Sequence, residues 1–262
     1  MRRLRLTWVL LFVGMLCLGQ QPQAYWQSRS QVAVAGATEG TVLIDTIAIS
    51  SPGTNGVQSQ TFINGSVGSG GFTLNLGSGP NGTTNRALGI AMLFCGTTGG
   101  VSSGPSLAWH SNSMGLPIGS LSGGAAGDIY FFGQVNPDLG ANDVTASWTG
   151  PNQVVIALLS VVGADQTGGA TTFTGFTSLT GTSSVATVNV TAPSTRISMG
   201  AFTSPNSNFT TPGAGNTDIG HVDTCNINAI AANYDTGHTN PSLSYSPSEA
   251  AWGAMGVSIK GI

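Results

Sequence analysis

The residues able to do acid–base or ligand chemistry are few, and most of them crowd into one stretch of the chain. Of the histidines His110, His221 and His238, the last two lie close to Asp218, Asp223, Cys225 and Asp235. On a strand, residues i and i+2 share a face, so His221 and Asp223 can reach one ion, and Asp235-x-x-His238 offers a second pair. His221, Asp223, Asp235 and His238 are therefore the candidate metal ligands. Their spacing is not a zinc signature, and no D-x-D-x-D cluster marks a calcium loop. If an ion is held at all, Ca²⁺ is expected before Zn²⁺; no other cofactor is expected.

Nucleophilic and carboxylate chemistry fares less well. Gly100-Val101-Ser102-Ser103-Gly104 matches G-x-S-x-G, but a nucleophile elbow needs a helix after it, and Pro105 with a short strand follows here. Asp235-Thr236-Gly237 has the aspartic-protease triplet without a second copy to share a proton, and is ordinary turn chemistry. Glycoside hydrolysis needs two carboxylates about 5–9.5 Å apart across a cleft. Beyond the N-terminal segment the only glutamates are Glu39 and Glu249, and the aspartates are scattered among turn-like sites. No catalytic residue is assigned. The remaining recognition device is aromatic: Tyr234 and Tyr245 lie among Asn and Ser, so with Asn228, Asn233 and Asp235 they form a candidate glycan site. There a ring stacks on the sugar and amides or carboxylates take its hydroxyls. Trp109, Trp148 and Trp252 have apolar neighbours and are expected in the core.

The elements that must position these groups are strands. Only 6% of the 262 residues are charged, 40% are apolar and Gly supplies 39 positions. Long charged helices are excluded, and so is a phosphate-tracking surface, because Lys260 is the sole lysine. Between Gly- and Ser-rich breaks the chain alternates with period two: Phe72, Leu74, Leu76; Val144, Ala146, Trp148; Ala186, Val188, Val190. Thr on the wet face fits the pleat and keeps such strands soluble without charge. Ala87–Phe94 and Val154–Val162 are apolar on both faces, as strands covered on both sides must be. The expected fold is all-β, a single antiparallel sandwich, jelly-roll-like, of about 10–12 strands.

Arg2, Arg3 and Arg5 precede the apolar run Leu6–Leu18, which is shorter than the roughly 20 residues of a membrane span. Residues 1–24 are expected to be a signal peptide, with an uncleaved anchor as the alternative. Residues 25–40 form an extended lead-in and 41–262 the β-sandwich domain. In an oxidising compartment Cys95 and Cys225 can form a disulfide closing a long loop, worth up to about 5 kcal/mol; two buried free thiols are the alternative.

The stretch Asn85–Ala91 resembles the "N-R-x-L-x-V-x-V" strand of an uncharacterised β-sandwich module recurrent in exported bacterial and phage-associated proteins. The likeness continues through Asp128–Phe132 before Asn136-Pro137, the run Gly140–Trp148, Gly163–Thr167, Ser184–Thr191 and Trp252–Lys260. The resemblance implies a sandwich at a cell or particle surface and no established catalytic set. The chain departs from it in the polar region Asn206–Asn240.

The expected role is a non-enzymatic exported β-sandwich for surface adhesion or glycan binding, secreted or at the cell surface. A structural subunit of a phage virion or extracellular assembly, packing against copies of itself, is the alternative, and a carbohydrate-active enzyme the second alternative. Nucleic acid is not an expected partner, and a membrane is one only through an uncleaved N-terminus.

Overall fold

A strand with apolar side chains on both faces must be covered twice, and four strands of this chain meet that condition along nearly their whole length. The computed structural model describes residues 39–50, 59–62, 66–67, 70–71, 75–76, 84–95, 105–122, 127–149, 153–205, 208–225, 228–246 and 251–262. The signal and most of the lead-in, Phe72–Leu74 and the Gly100–Gly104 loop lie outside the described residues.

Strands are numbered in chain order. The first central sheet runs β1 (Leu43–Ile49), β13 (Gln153–Val162), β6 (Ala87–Cys95), β10 (Asp128–Val135), β9 (Gly119–Ser122). The second runs β14 (Phe173–Gly181), β20 (Trp252–Ile259), β16 (Ile197–Pro205), β18 (Asn228–Thr236), β17 (Thr217–Cys225). A four-stranded sheet of β2 (Ser59–Phe62), β12 (Val144–Ser147), β7 (Ser106–Trp109) and β8 (Asn112–Ser113) accompanies the first. A ribbon of β15 (Ala186–Asn189) and β19 (Ser242–Tyr245) accompanies the second. Short pairs β11 (Gly140–Ala141) with β5 (Asn75–Leu76), and β3 (Ser66–Val67) with β4 (Gly70–Gly71), complete the set. Every described strand pairing is antiparallel. The fold is thus all-β and sandwich-like. It is more finely divided than the sequence implies: twenty described strands, of which the two central sheets hold ten, and one helical turn, α1 (Gly169–Thr172).

Alternation sorts the apolar side chains into three cores. Ala87, Ala91, Leu93 and Cys95 of β6 join Val155, Ala157 and Leu159 of β13 and meet Met199, Ala201, Ile230, Met255 and Val257 between the central sheets. The other face of β6 and β13, Leu88, Ile90, Met92, Phe94, Ile156 and Leu158, packs with Trp109, Val144, Ala146 and Trp148 of the accompanying sheet. Phe202, Ala231, Trp252 and Ala254 pack under Val188, Leu243 and Tyr245 of the ribbon. Each Leu, Ile or Phe so buried contributes about 1.5–3 kcal/mol. Gly256 lets the ribbon settle: a Cβ there would stand 2.5 Å from Val190 Cγ2.

Two buried devices fasten the strands, a polar one within the first central sheet and a covalent one between the two central sheets. Arg86, just before β6 and 1% exposed, pairs with Asp45 of β1 and donates to Ser160 Oγ of β13 at 3.1 Å. Cys95, closing β6, is bonded to Cys225, closing β17, across 130 positions of sequence with Cα atoms 5.4 Å apart. This disulfide joins the two central sheets inside their shared core. Cys95→Ser/Cys225→Ser is expected to fold but to lose about 3–5 kcal/mol of unfolding free energy in urea titration. Alkylation of the unreduced protein after unfolding in guanidinium chloride should leave both cysteines unmodified; labelling of both would sink the assignment.

Candidate functional site

The polar region Asn206–Asn240 holds β17 and β18, with β19 just beyond it, and the strands decide what each side chain can touch. On β18, Ile230, Ala232 and Tyr234 face the central core, while Ala229, Ala231, Asn233 and Asp235 face the ribbon. Tyr234 and Tyr245 are strand residues, not loop residues. Tyr234 is partly buried against the central core, and the Tyr245 ring is fully buried, edge-on to Phe202 and Phe209 at 5.6 and 5.5 Å. Asn233 is 0% and Asp235 4% exposed. Asn228 is also buried, at 1%, so of the five residues expected to form a glycan site only Tyr234 lies near the surface. Tyr245 is misread from composition because one tip carries its polarity: the hydroxyl reaches out of the core and donates to Asp218 Oδ1. Burial first, then the bond to Asp218 and the charges of Asp218 and Asp223, push the phenol far above its usual pKa and keep it a neutral donor.

The candidate metal ligands fall into two separate pairs. His221 Nδ1 lies 3.5 Å from Asp218 Oδ2, so its carboxylate partner is Asp218 and not Asp223. A bulge between Asp218 and Gly220 shifts the strand register and hides this relation from i, i+2 counting. His238 Nδ1 bonds Asp235 at 2.9 Å. Asp218 pairs with Asn233 and His221 with Ala231, two and four positions from Asp235 along β18, so the two His–Asp pairs occupy different places on the sheet. Among the described residues no group of three or more His, Cys, Asp or Glu is arranged to hold a metal.

Asn216, which sequence reasoning passed over, is the hub of this edge. Its Nδ2 donates to Asp235 Oδ2 at 3.3 Å and to the Ser242 carbonyl at 3.2 Å. Its Oδ1 accepts from the Ser244 N–H at 3.0 Å and from Asn233 Nδ2 at 3.4 Å. The amide thereby sews β18 to the ribbon. A second exposed cluster, also unforeseen, sits at the β7–β8 turn: Asp138 Oδ2 bonds His110 Nδ1 and accepts from Asn112 Nδ2, each at 2.9 Å. None of these clusters places a serine, threonine or cysteine nucleophile against a histidine.

A third cluster clasps the two ends of the described domain. Arg196 donates to both oxygens of Glu39 at 2.7 and 2.8 Å, the Gly261 N–H adds a third bond, and Lys260 Nζ bonds Asp165 Oδ2 at 2.7 Å. Glu39 and Gly40, expected in the lead-in, thus belong to the folded domain, since the Gly40 N–H also bonds the Ile262 carbonyl. Burial acts to raise the Glu39 pKa, but Arg196 and the Gly261 N–H outweigh it and hold the carboxyl low. Burial is likewise outweighed at Asp165, where Lys260 and Thr167 bring the pKa down to about 2.

Compared with family models, curated proteins and solved structures, the chain matches none. No described helix is long and apolar enough to cross a membrane.

Two outcomes test these placements. Tyr245→Phe, which removes only the donor to Asp218, should cost about 1–2 kcal/mol, and Tyr245→Ala about 3–5 kcal/mol, in chemical denaturation. Equal stability of Tyr245→Ala and wild type would contradict a buried ring. For the clasp, a carboxylate with a depressed folded pKa stabilises above its unfolded pKa of about 4 and loses that contribution as pH falls toward the folded value. The urea midpoint should hold above about pH 5 and drop between about pH 4 and about pH 2, where Asp165 protonates. Lys260→Met should flatten part of that slope; an identical slope in the variant would refute the clasp.

Proposed function

We propose that the chain is a non-enzymatic, exported β-sandwich that acts by contact, as a subunit packing against copies of itself in an extracellular or particle-surface assembly. The observation that carries this reading is the contrast between the two edges of the second central sheet. Edge strand β17 carries Asp218, His221 and Asp223, charges of the kind that block strand addition. Edge strand β14, FTGFTSLTG, carries no charge, and neither does β9, GSLS, the edge of the first central sheet beside it. The two edges touch: a Cβ on Gly119 of β9 would overlap the Phe176 ring of β14.

Beyond its bulge, β14 runs regularly from Thr177 to Gly181 against β20, with no described partner on its other side. Ser178, Leu179 and Thr180 are exposed; Leu179 is 52% exposed, and Val185 just after the strand is 42% exposed. An uncharged edge with an exposed leucine is suited to antiparallel pairing with its own copy, which needs no charge desolvated. The export signal read in the sequence and the absence of an assembled catalytic set among the described residues support the same reading. Glycan adhesion through Tyr234 and Tyr245 is less well supported, because one ring is in the core.

Sedimentation velocity across a wide concentration range tests this. Wild type should show a weight-average mass rising with concentration, and Leu179→Lys should stay at monomer mass with an unchanged melting temperature. A wild type that is monomeric at every concentration would remove the proposal.

A further inference from the structure

The face of the second central sheet that looks toward the ribbon changes character along its strands. Under the ribbon it is apolar, but one row further on the register sets Thr174, Ser258, Ser198 and Asp235 side by side across β14, β20, β16 and β18. Ser198 is 1% and Ser258 0% exposed, and neither hydroxyl oxygen has a hydrogen-bond partner within the protein. Directly opposed residues hold their Cβ atoms about 4.5–5.5 Å apart. The two hydroxyls stand on directly opposed residues of one face and do not bond each other.

The cover over this row is well defined. Val190 lies against the Gly256 and Gly175 positions, which flank Ser258 and its neighbour Thr174. The segment is closed by the Val190 N–H to the Pro241 carbonyl at 3.0 Å, and by Asn240, which donates to the Ala192 carbonyl at 2.7 Å and accepts from its N–H at 3.0 Å. These groups satisfy one another and leave the serines to find a partner elsewhere.

We infer that a buried water molecule bridges the Ser198 and Ser258 hydroxyls beneath this cover. An orphaned buried hydroxyl costs about 1–3 kcal/mol, and two adjacent ones form the kind of polar site in which internal water is held. A third bond is at hand in Asp235, the next residue in the row. Its carboxylate has about four lone-pair positions and accepts from His238 and Asn216, which leaves capacity for a donor. The set suits water better than a cation: the two hydroxyls are neutral, and the single carboxylate is already engaged. The water joins β16 to β20, and through Asp235 to β18, at the point where apolar packing under the ribbon ends.

Thermal unfolding of Ser198→Ala, Ser258→Ala and the double variant tests the bridge, together with a high-resolution crystal structure of the wild type. With a bridging water, each single change should lower the melting temperature by about 2–4 °C, and the double change by less than the sum of the two. The crystal structure should place one ordered water within hydrogen-bond distance of both oxygens. Single variants as stable as wild type or more so, or a direct Ser198–Ser258 bond with no water between, would overturn the inference.

Discussion

The constraint on which the rest of this molecule depends is that a sheet apolar on both faces cannot end in water on either. β6, β13, β16 and β20 bury nearly every residue, so each central sheet needs a companion on its far side. The four-stranded sheet and the β15–β19 ribbon supply it. This is why so few charges suffice: the central strands are interior, and the wetter strands β14 and β15 carry Thr, Ser and Asn. Charge is used in small closed groups: Arg86 with Asp45 fastens strands of the first central sheet, and Glu39 with Arg196 joins the segments leading into β1 and β16.

That economy shapes the functional reading. Among the described residues, His and Asp meet in pairs, at Asp218–His221, Asp235–His238 and Asp138–His110, and no third His, Cys, Asp or Glu joins them as a metal group. Asn216 and Asn233 spend their amides on the ribbon. The proposed self-association draws on the uncharged edges β9 and β14.

Much of the fold is legible in the sequence, because period-two alternation is a local signal. The doubly apolar Ala87–Phe94 and Val154–Val162 are central strands, and Ala186, Val188 and Val190 line one face as their spacing implies. The buried Trp109, Trp148 and Trp252 follow from their neighbours. The candidate site was less legible, for reasons that are not local. Thr217–Cys225 is a strand interrupted by bulges, so counting residues paired His221 with the wrong aspartate. Tyr245 looks polar by company, since nothing in its neighbours announces that Phe202 and Phe209 will enclose its ring. The Arg86–Asp45 pair joins residues far apart in sequence, which only the strand order of the finished sheet could reveal.

The stacking of three cores has an optical consequence. Trp109 and Trp148 stand in the core behind the first central sheet, Trp148 edge-on to Phe94, and Trp252 stands in the core beneath the ribbon. No described tryptophan lies in the core between the central sheets. The emission of these three indoles therefore reports the two outer seams of the domain and is blind to its middle. Loosening of a cover would redden the spectrum while the disulfide-joined centre, read only by backbone dichroism, stayed whole.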